Sequence, residues 1–316
     1  MTSELETARS QEQQEQFLIV GVGASAGGID ALKAFFSQVQ KESGASYVVI
    51  LHLSPDHESQ LAELLQGVAA IPVVQVRERV KVEVDRAYVI PPNQSLSVED
   101  GHLSLSAVTT QEQRRAPIDI FFRTLGDSQG ARAVCVVLSG TGADGSAGLK
   151  RVKECGGLCI VQDPSEAAHD GMPRHAIETR LVDDVLPVSE IPAKIRAYRR
   201  HLDLVRGQWG SPETDEQALR DVLSQVRLVT GHDFSSYKQT TLLRRIERRL
   251  AIHELADLSA YAAWLKEHPD DARVLLKDLL ISVTEFFRDP DAFEALKQEV
   301  IPRLFESKGV HDYVRV

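Results

Sequence analysis

From residue 17 onward the chain alternates short unbroken apolar runs with stretches of helical period. FLIVGVG, YVVILHL, AYVIPP, AVCVVLSG and GLCIVQD are each ended by glycine, proline or a polar residue. Runs that are continuous rather than alternating predict strands covered on both faces, hence a mainly parallel sheet with helices on either side. IDALKAFFSQV, SQLAELLQGV, IDIFFRTLGD and SAGLKRVKE supply the helices between them. From Tyr88 to Val108 the pattern reads instead as strand, turn and hairpin, with PPNQ and EDG as turn signals, so the sheet is expected to be mixed. The fold class is α/β, a doubly wound sheet over residues 15–200.

After RRHLDLVRGQWGSPETDEQ the pattern changes. Gly207, Gly210, Ser211 and Pro212 mark a linker over residues 201–214. ALRDVLSQVRLVTG, TTLLRRIERRLAIH, LSAYAAWLKEH and ARVLLKDLLISV then follow as amphipathic helices. This predicts a small all-helical module over 215–290, with Gly231 at a C-cap and Asp270 capping a helix that starts near Ala272. In TTLLRRIERRL, helical spacing puts Leu242, Leu243, Ile246 and Leu250 on one face and Arg244, Arg245, Arg248 and Arg249 on the other. Such a charge run reads as a solvated face. No internal repeat is visible.

Composition narrows the function. The 316 residues carry a formal net charge of -10, which argues against general nucleic-acid affinity because phosphate binding needs a positive footprint. The first sixteen residues, rich in Glu and Gln, have neither a basic nor an apolar leader segment, and no stretch is long and apolar enough to span a membrane. A soluble cytoplasmic protein with a disordered tail over residues 1–14 is expected. Cys135, Cys155 and Cys159 form no CxxC pair and read as small buried apolar residues. His57, five residues after His52, lacks a nearby third ligand, and no metal is expected.

The candidate chemistry starts at GVGASAGG. Gly23-Ala24-Ser25-Ala26-Gly27 satisfies G-x-S-x-G, a sharp turn that holds a serine out at the end of a sheet. Gly21 to Ala26 also satisfies G-x-G-x-x-[G/A], a dinucleotide fingerprint. Those letters alone leave both open. The dinucleotide reading wants an acid at the tip of the second strand, where the chain has His52 instead. A further strand runs into TGADGSAG and delivers Asp144. Serine, histidine and aspartate at the carboxyl ends of parallel strands can make a hydroxyl nucleophilic: His52 takes its proton, Asp144 orients the ring, and backbone N–H groups after Ser25 hold the oxyanion. The order Ser, His, Asp differs from that of α/β-hydrolases. His169 is a second candidate base, and Arg114 and Arg115 are candidate contacts for an acidic substrate or simply a solvated face.

GASAGG, LHLSP, LSGTGADGSAG and GGLCIVQDPSEAAHDGMP together resemble the catalytic domain of the bacterial chemotaxis protein-glutamate methylesterases, the CheB type. The resemblance implies a triad of Ser25, His52 and Asp144, and hydrolysis of γ-glutamyl methyl esters on chemoreceptor helices, with receptor glutamine deamidation in some members. It implies no cofactor for that reaction. Thr141 stands where the family commonly has methionine and Ala26 where it commonly has threonine. With Gly27 and Met172 these are the near-site positions that the resemblance assigns to substrate. The receiver domain that usually precedes the esterase is absent from the reading.

FSSYKQTTLLRRIERRL and LLISVTEFFRDPDAF resemble the N-terminal helical domain of the CheR-type methyltransferases, which use S-adenosylmethionine. That resemblance implies a basic helix facing a cleft, with Arg245, Arg248, Thr284 and Arg288 as substrate or cofactor contacts. Residues 291–316 would begin a truncated methyltransferase domain, so tight S-adenosylmethionine binding is not expected of this chain. The expected partner is a methyl-accepting chemoreceptor or a similar acidic helical protein. Two alternatives stay open: the chain is a non-catalytic regulatory or docking module, or the basic helix docks on the esterase domain, with the second module covering Ser25 or leaving it open.

Overall fold

The computed structural model describes residues 17–51, 60–110, 116–205, 212–280 and 294–305. The five apolar runs form five parallel strands, and two short strands, Val73–Gln75 and Asp184–Leu186, extend the sheet to seven. In chain order the first domain comprises β1 (Leu18–Ala24), α1 (Gly28–Ser37), β2 (Ala45–Leu51), α2 (Leu61–Gln66), β3 (Val73–Gln75), β4 (Val80–Lys81), β5 (Ala87–Val89), β6 (Gln94–Glu99) and β7 (His102–Ala107). It continues through α3 (Pro117–Gln129), β8 (Ala133–Val137), α4 (Ser146–Glu154), β9 (Leu158–Gln162), α5 (Gly171–Glu178), β10 (Asp184–Leu186) and α6 (Ile191–Val205). The main sheet has the order β10-β9-β8-β1-β2-β5-β3, and every pairing in it is parallel. The expected mixed sheet is therefore corrected to two. The antiparallel strands β4, β7 and β6 form a separate three-stranded sheet, with β6 and β7 joined through Asp100 and Gly101.

The central strand shows why unbroken apolar runs are needed. Leu18, Val20, Val22 and Ala24 of β1 face one core with Phe35 and Phe36 of α1 and Tyr198 of α6, whereas Ile19 faces the other with Phe121 and Phe122 of α3. Successive side chains of a strand point to opposite faces, so a central strand must be apolar at every position. The fingerprint glycines answer to packing. A Cβ at Gly23 would lie 2.5 Å from Ile118 Cγ2, and one at Gly21 3.0 Å from ring atoms of Phe121 and Phe122. Their bare backbone seats α3 directly on β1.

The second module consists of α7 (Pro212–Thr230), α8 (Gln239–His253), α9 (Leu258–Glu267) and α10 (Pro269–Leu280). Val222, Val226, Leu242, Ile246, Leu250, Tyr261, Leu265 and Leu275 close its core. Gly231 follows α7 and donates its N–H to Arg227 O at 2.8 Å. Asp257 caps α9 through Ala260 N–H at 2.8 Å. Asp270, expected as a cap, lies inside the first turn of α10 because that helix starts at Pro269, a residue suited to a first helical position. Helix occupies 201–205 and 212–214 of the expected linker. The described residues up to Leu280 belong to one compact unit and those from 294 onward to a second. Of the latter, the described part is a π-helical turn, Leu296–Val300, followed by α11 (Ile301–Phe305). No helix among the described residues is long and apolar enough to cross a membrane.

Candidate active site

Ser25 follows the last residue of β1, and its backbone is pinned on both sides. Its N–H donates to Ser139 O at 3.0 Å, and its carbonyl accepts from Gly28 N–H at 2.8 Å. Gly27, at φ 70°, completes the turn and caps α1, a left-handed conformation that favours glycine. Ser25 itself is half-buried, and Ala26 and Gly27 are exposed. The nucleophile candidate thus stands at the carboxyl edge of the sheet, at the start of a helix whose first N–H groups have no partner inside the helix.

Loops after β8 and β9 close on this turn. A Cβ at Gly140 would lie 2.1 Å from Met172 Sδ and 2.9 Å from Ser25 Cβ, so only a bare backbone lets those two side chains approach. Met172 is fully buried and donates its N–H to Gly140 O at 2.8 Å. Thr141, next to Gly140, is exposed. The His169 ring lies beside Gly27, its Cδ2 3.1 Å from where a Gly27 Cβ would be. Ala26, Gly27, Thr141 and Met172 therefore do gather around Ser25 or the loop that touches it.

Asp144, on the loop after β8, turns both carboxylate oxygens to the first turn of α3: Oδ2 accepts from Ile118 N–H at 3.1 Å and Oδ1 from Asp119 N–H at 3.0 Å. Burial pushes its pKa up to about 6 against these two bonds, and the neighbouring Asp119 carboxylate adds to the rise. A carboxyl whose pKa is raised by folding is favoured in its protonated form. Its contribution to stability is greatest below pH 4 and is lost as the pH climbs through about 6. A carboxylate offers about four acceptor sites, so these bonds leave room for a further donor.

His52 lies outside the described residues, as do His57, Arg114, Arg115, Thr284 and Arg288. The residue before His52, Leu51, pairs across β2 and β1 with Ala24, the residue before Ser25. Cys135 and Cys159 are paired neighbours on β8 and β9 and fully buried, with burial pushing the Cys159 thiol up to about 12. Sequence reasoning missed Ser139, whose backbone and hydroxyl meet the Ser25 turn. Its one signal is its place in LSGTG, between a strand and a glycine loop.

Arg245 and Arg248 are a correction. The pattern reads them as a solvated face and the resemblance as cleft contacts, yet they are 4% and 2% exposed and grip the first domain, which is the docking on the esterase domain that the sequence left open. Arg245 donates to Lys153 O at 3.0 Å and Glu154 O at 2.6 Å, at the end of α4. Arg248 donates to Gly157 O at 2.9 Å, Asp278 Oδ2 at 2.8 Å and Asp183 Oδ2. Lys153 completes the cluster, 2.5 Å from Asp183 and 3.3 Å from Asp278. Burial alone would raise the pKa of Asp183; Arg248 and Lys153 hold it well below the usual carboxylate range. Carbonyls at a helix end and two buried carboxylates supply the acceptors that the buried guanidinium groups need. Ala251 and Ile252 join the core shared by α1 and α6. Gly157 and Asp183 precede β9 and β10, so this seam lies at the amino-terminal ends of the strands and Ser25 at a carboxyl end. Helices α7–α10 are thus attached away from the serine, and Arg245 and Arg248 offer no open contact to S-adenosylmethionine.

A family model described as CheB methylesterase matches residues 20–195. One described as CheR methyltransferase, all-alpha domain, matches residues 217–280. An uncharacterized 104.1 kDa protein of Rhodobacter capsulatus is 34% identical over 81% of this chain and 29% of its own length. A putative protein-glutamate methylesterase/protein-glutamine glutaminase of Leptospira interrogans is 34% identical over 54% of this chain and 89% of its own. The crystal structure of the Thermotoga maritima CheB methylesterase catalytic domain aligns with a TM-score of 0.53 and 28% identity, covering 57% of this chain and 97% of that one. The chain spans under a third of the Rhodobacter relative.

Proposed function

The chain belongs to the CheB methylesterase family, and from that premise we propose that its first domain is a serine hydrolase removing methyl esters from glutamate side chains of chemoreceptor-type proteins. The observation that carries this reading is the Ser25 turn, held at the carboxyl edge by the loop that leads to Asp144. Ser25 Oγ attacks the ester carbonyl carbon while His52 takes its proton. The C–O bond to the methoxy group then breaks, and methanol leaves with that proton. Water, deprotonated by His52, attacks the acyl carbon; the bond to Ser25 Oγ breaks, Oγ takes that proton back from His52, and the carboxylate is freed. A glutamine amide in the same place would release ammonia, the second activity we propose. Asp144 orients the imidazole and stabilises its charged form. The helical module, which matches the all-alpha domain of CheR methyltransferases, rides on this hydrolase as a fixed neighbour.

The test is methanol release from a methyl-esterified acidic receptor fragment, with ammonia release from its glutamine form measured alongside. Methanol formed in proportion to protein supports the reading, and none above the spontaneous rate overturns it. Asp144 adds a pH signature. Ionised above about pH 6 and protonated below, it should give a rate that falls on the acid side with a midpoint near 6, a limb that belongs jointly to Asp144 and the base it orients. Asp144→Asn should lower the rate by about 10³- to 10⁴-fold. A rate flat from pH 5 to 8 would remove Asp144 from the mechanism.

A further inference from the structure

Ser139 is the most completely bonded residue next to the proposed nucleophile. It is 1% exposed and sits two residues past the end of β8, where loops from three strands meet. Its N–H donates to Gln162 Oε1, at the end of β9, at 2.8 Å. Its carbonyl accepts Ser25 N–H at 3.0 Å. Its hydroxyl accepts His169 N–H at 3.0 Å, and its single proton has Ala26 O at 3.1 Å and His169 O at 3.3 Å as acceptors. A buried hydroxyl that both donates and accepts ties together the backbone groups it touches.

What it touches is the backbone on both sides of the Ser25 side chain. Ser25 N–H and Ala26 C=O both point at Ser139, which sets the rotation of the peptide group before Ser25 and of the one between Ala26 and Gly27. In a trans peptide, C=O and N–H point in opposite directions. The Ala26 carbonyl directed at Ser139 therefore turns the Gly27 N–H away from it. Gly27 is the N-cap of α1 and exposed, so that N–H faces outward at the positive end of a helix. Among the described residues no acceptor takes it. The turn sits directly on the hydroxyl: a Cβ at Gly27 would lie 3.0 Å from Ser139 Oγ.

We infer that Ser139 is a positioning residue for the hydrolase, holding the turn so that the Ser25 hydroxyl and the Gly27 N–H face the same ester carbonyl. The inference rests on the reading of Ser25 as the nucleophile. Ser139→Ala removes the hydroxyl and leaves the Ala26 carbonyl free to rotate. An oxyanion donor is worth about 10²- to 10³-fold in kcat, and a misdirected one should cost about 10- to 100-fold, with KM unchanged within about twofold.

The experiment compares the full chain with its Ser139→Ala, Ser139→Cys and Ser25→Ala variants in methanol release and in labelling by a fluorophosphonate, counted by intact mass. Ser139→Ala should take up one label per chain, about 10- to 100-fold more slowly than the parent. Ser139→Cys, which keeps the shape and weakens the bond, should be slowed in the same direction and covers the case in which the alanine variant does not fold. Partial labelling at the parent rate would mean a folding defect only and overturns the inference, as would a raised KM with unchanged kcat. Unchanged kinetics in the Ser139 variants with an inert Ser25→Ala overturns the inference alone. An active Ser25→Ala overturns the reading beneath it.

Discussion

Ser25→Ala should abolish methanol release, with a loss of about 10⁴-fold or more and a folded protein left behind. The size follows from the role: without the hydroxyl no acyl-enzyme forms, and what remains is whatever an oxyanion site and binding provide to attack by water. In barrier terms the loss is about 5 kcal/mol or more. The structure gives reason to expect folding to survive. The contacts that pin this turn are made by the Ser25 backbone N–H and carbonyl, both kept by alanine, and the side chain is half-buried at a sheet edge. Matching thermal unfolding curves beside a lost rate would place the effect in chemistry. Retained release would leave the domain with some other nucleophile or none.

Arg248→Ala should cost about 3–5 kcal/mol of stability, the range for breaking a buried ion pair by removing one partner. It leaves the Gly157 carbonyl without its guanidinium donor, and the Asp183 and Asp278 carboxylates share Lys153. The loss should appear in urea unfolding as a lower midpoint, with the helical module separating from the sheet domain in a transition of its own. Because β9 alone is about 16 Å long at 3.3 Å per residue and the seam and Ser25 lie at opposite strand ends, the fluorophosphonate labelling rate of the folded variant should match the parent. A variant as stable as the parent would show that the cluster adds nothing to docking. One that labels slowly would show that the seam and the serine are coupled.

The parts of this arrangement that sequence disclosed are those written in local pattern. β1, β2, β8 and β9 were legible because central parallel strands are apolar at every position, and α1, α3 and α4 because their burial has a helical period. β3, β4 and β10 are two or three residues long, too short to show any period. The hairpin was recognised through Asp100-Gly101, but a turn does not say which sheet it joins. The Ser25 turn and Asp144 were marked by glycine-rich loops at strand ends. Ser139 was not, since a serine whose value lies in four partners, from two loops and the end of β9, looks like any loop serine. The arginines of α8 misled for a related reason: a basic helix face reads as solvated until its acceptors are known. Asp183 lies 65 positions from Arg248 in the chain, and the Lys153, Glu154 and Gly157 carbonyls have no signature in a sequence.

The same cluster bears on how two domains of one polypeptide come to be joined during synthesis. Lys153 and Asp183 both belong to the sheet domain and lie 2.5 Å apart. Arg248 and Asp278 both belong to the helical module and lie 2.8 Å apart. Each half therefore carries within itself a basic partner for its buried acid. The two pairs bring equal and opposite charges to the seam, and Arg245 brings its own charge onto the Lys153 and Glu154 carbonyls. Assembly then rearranges two dipoles into a ring of four charges, a step that sets register without demanding that either partner wait, half-built, for the other.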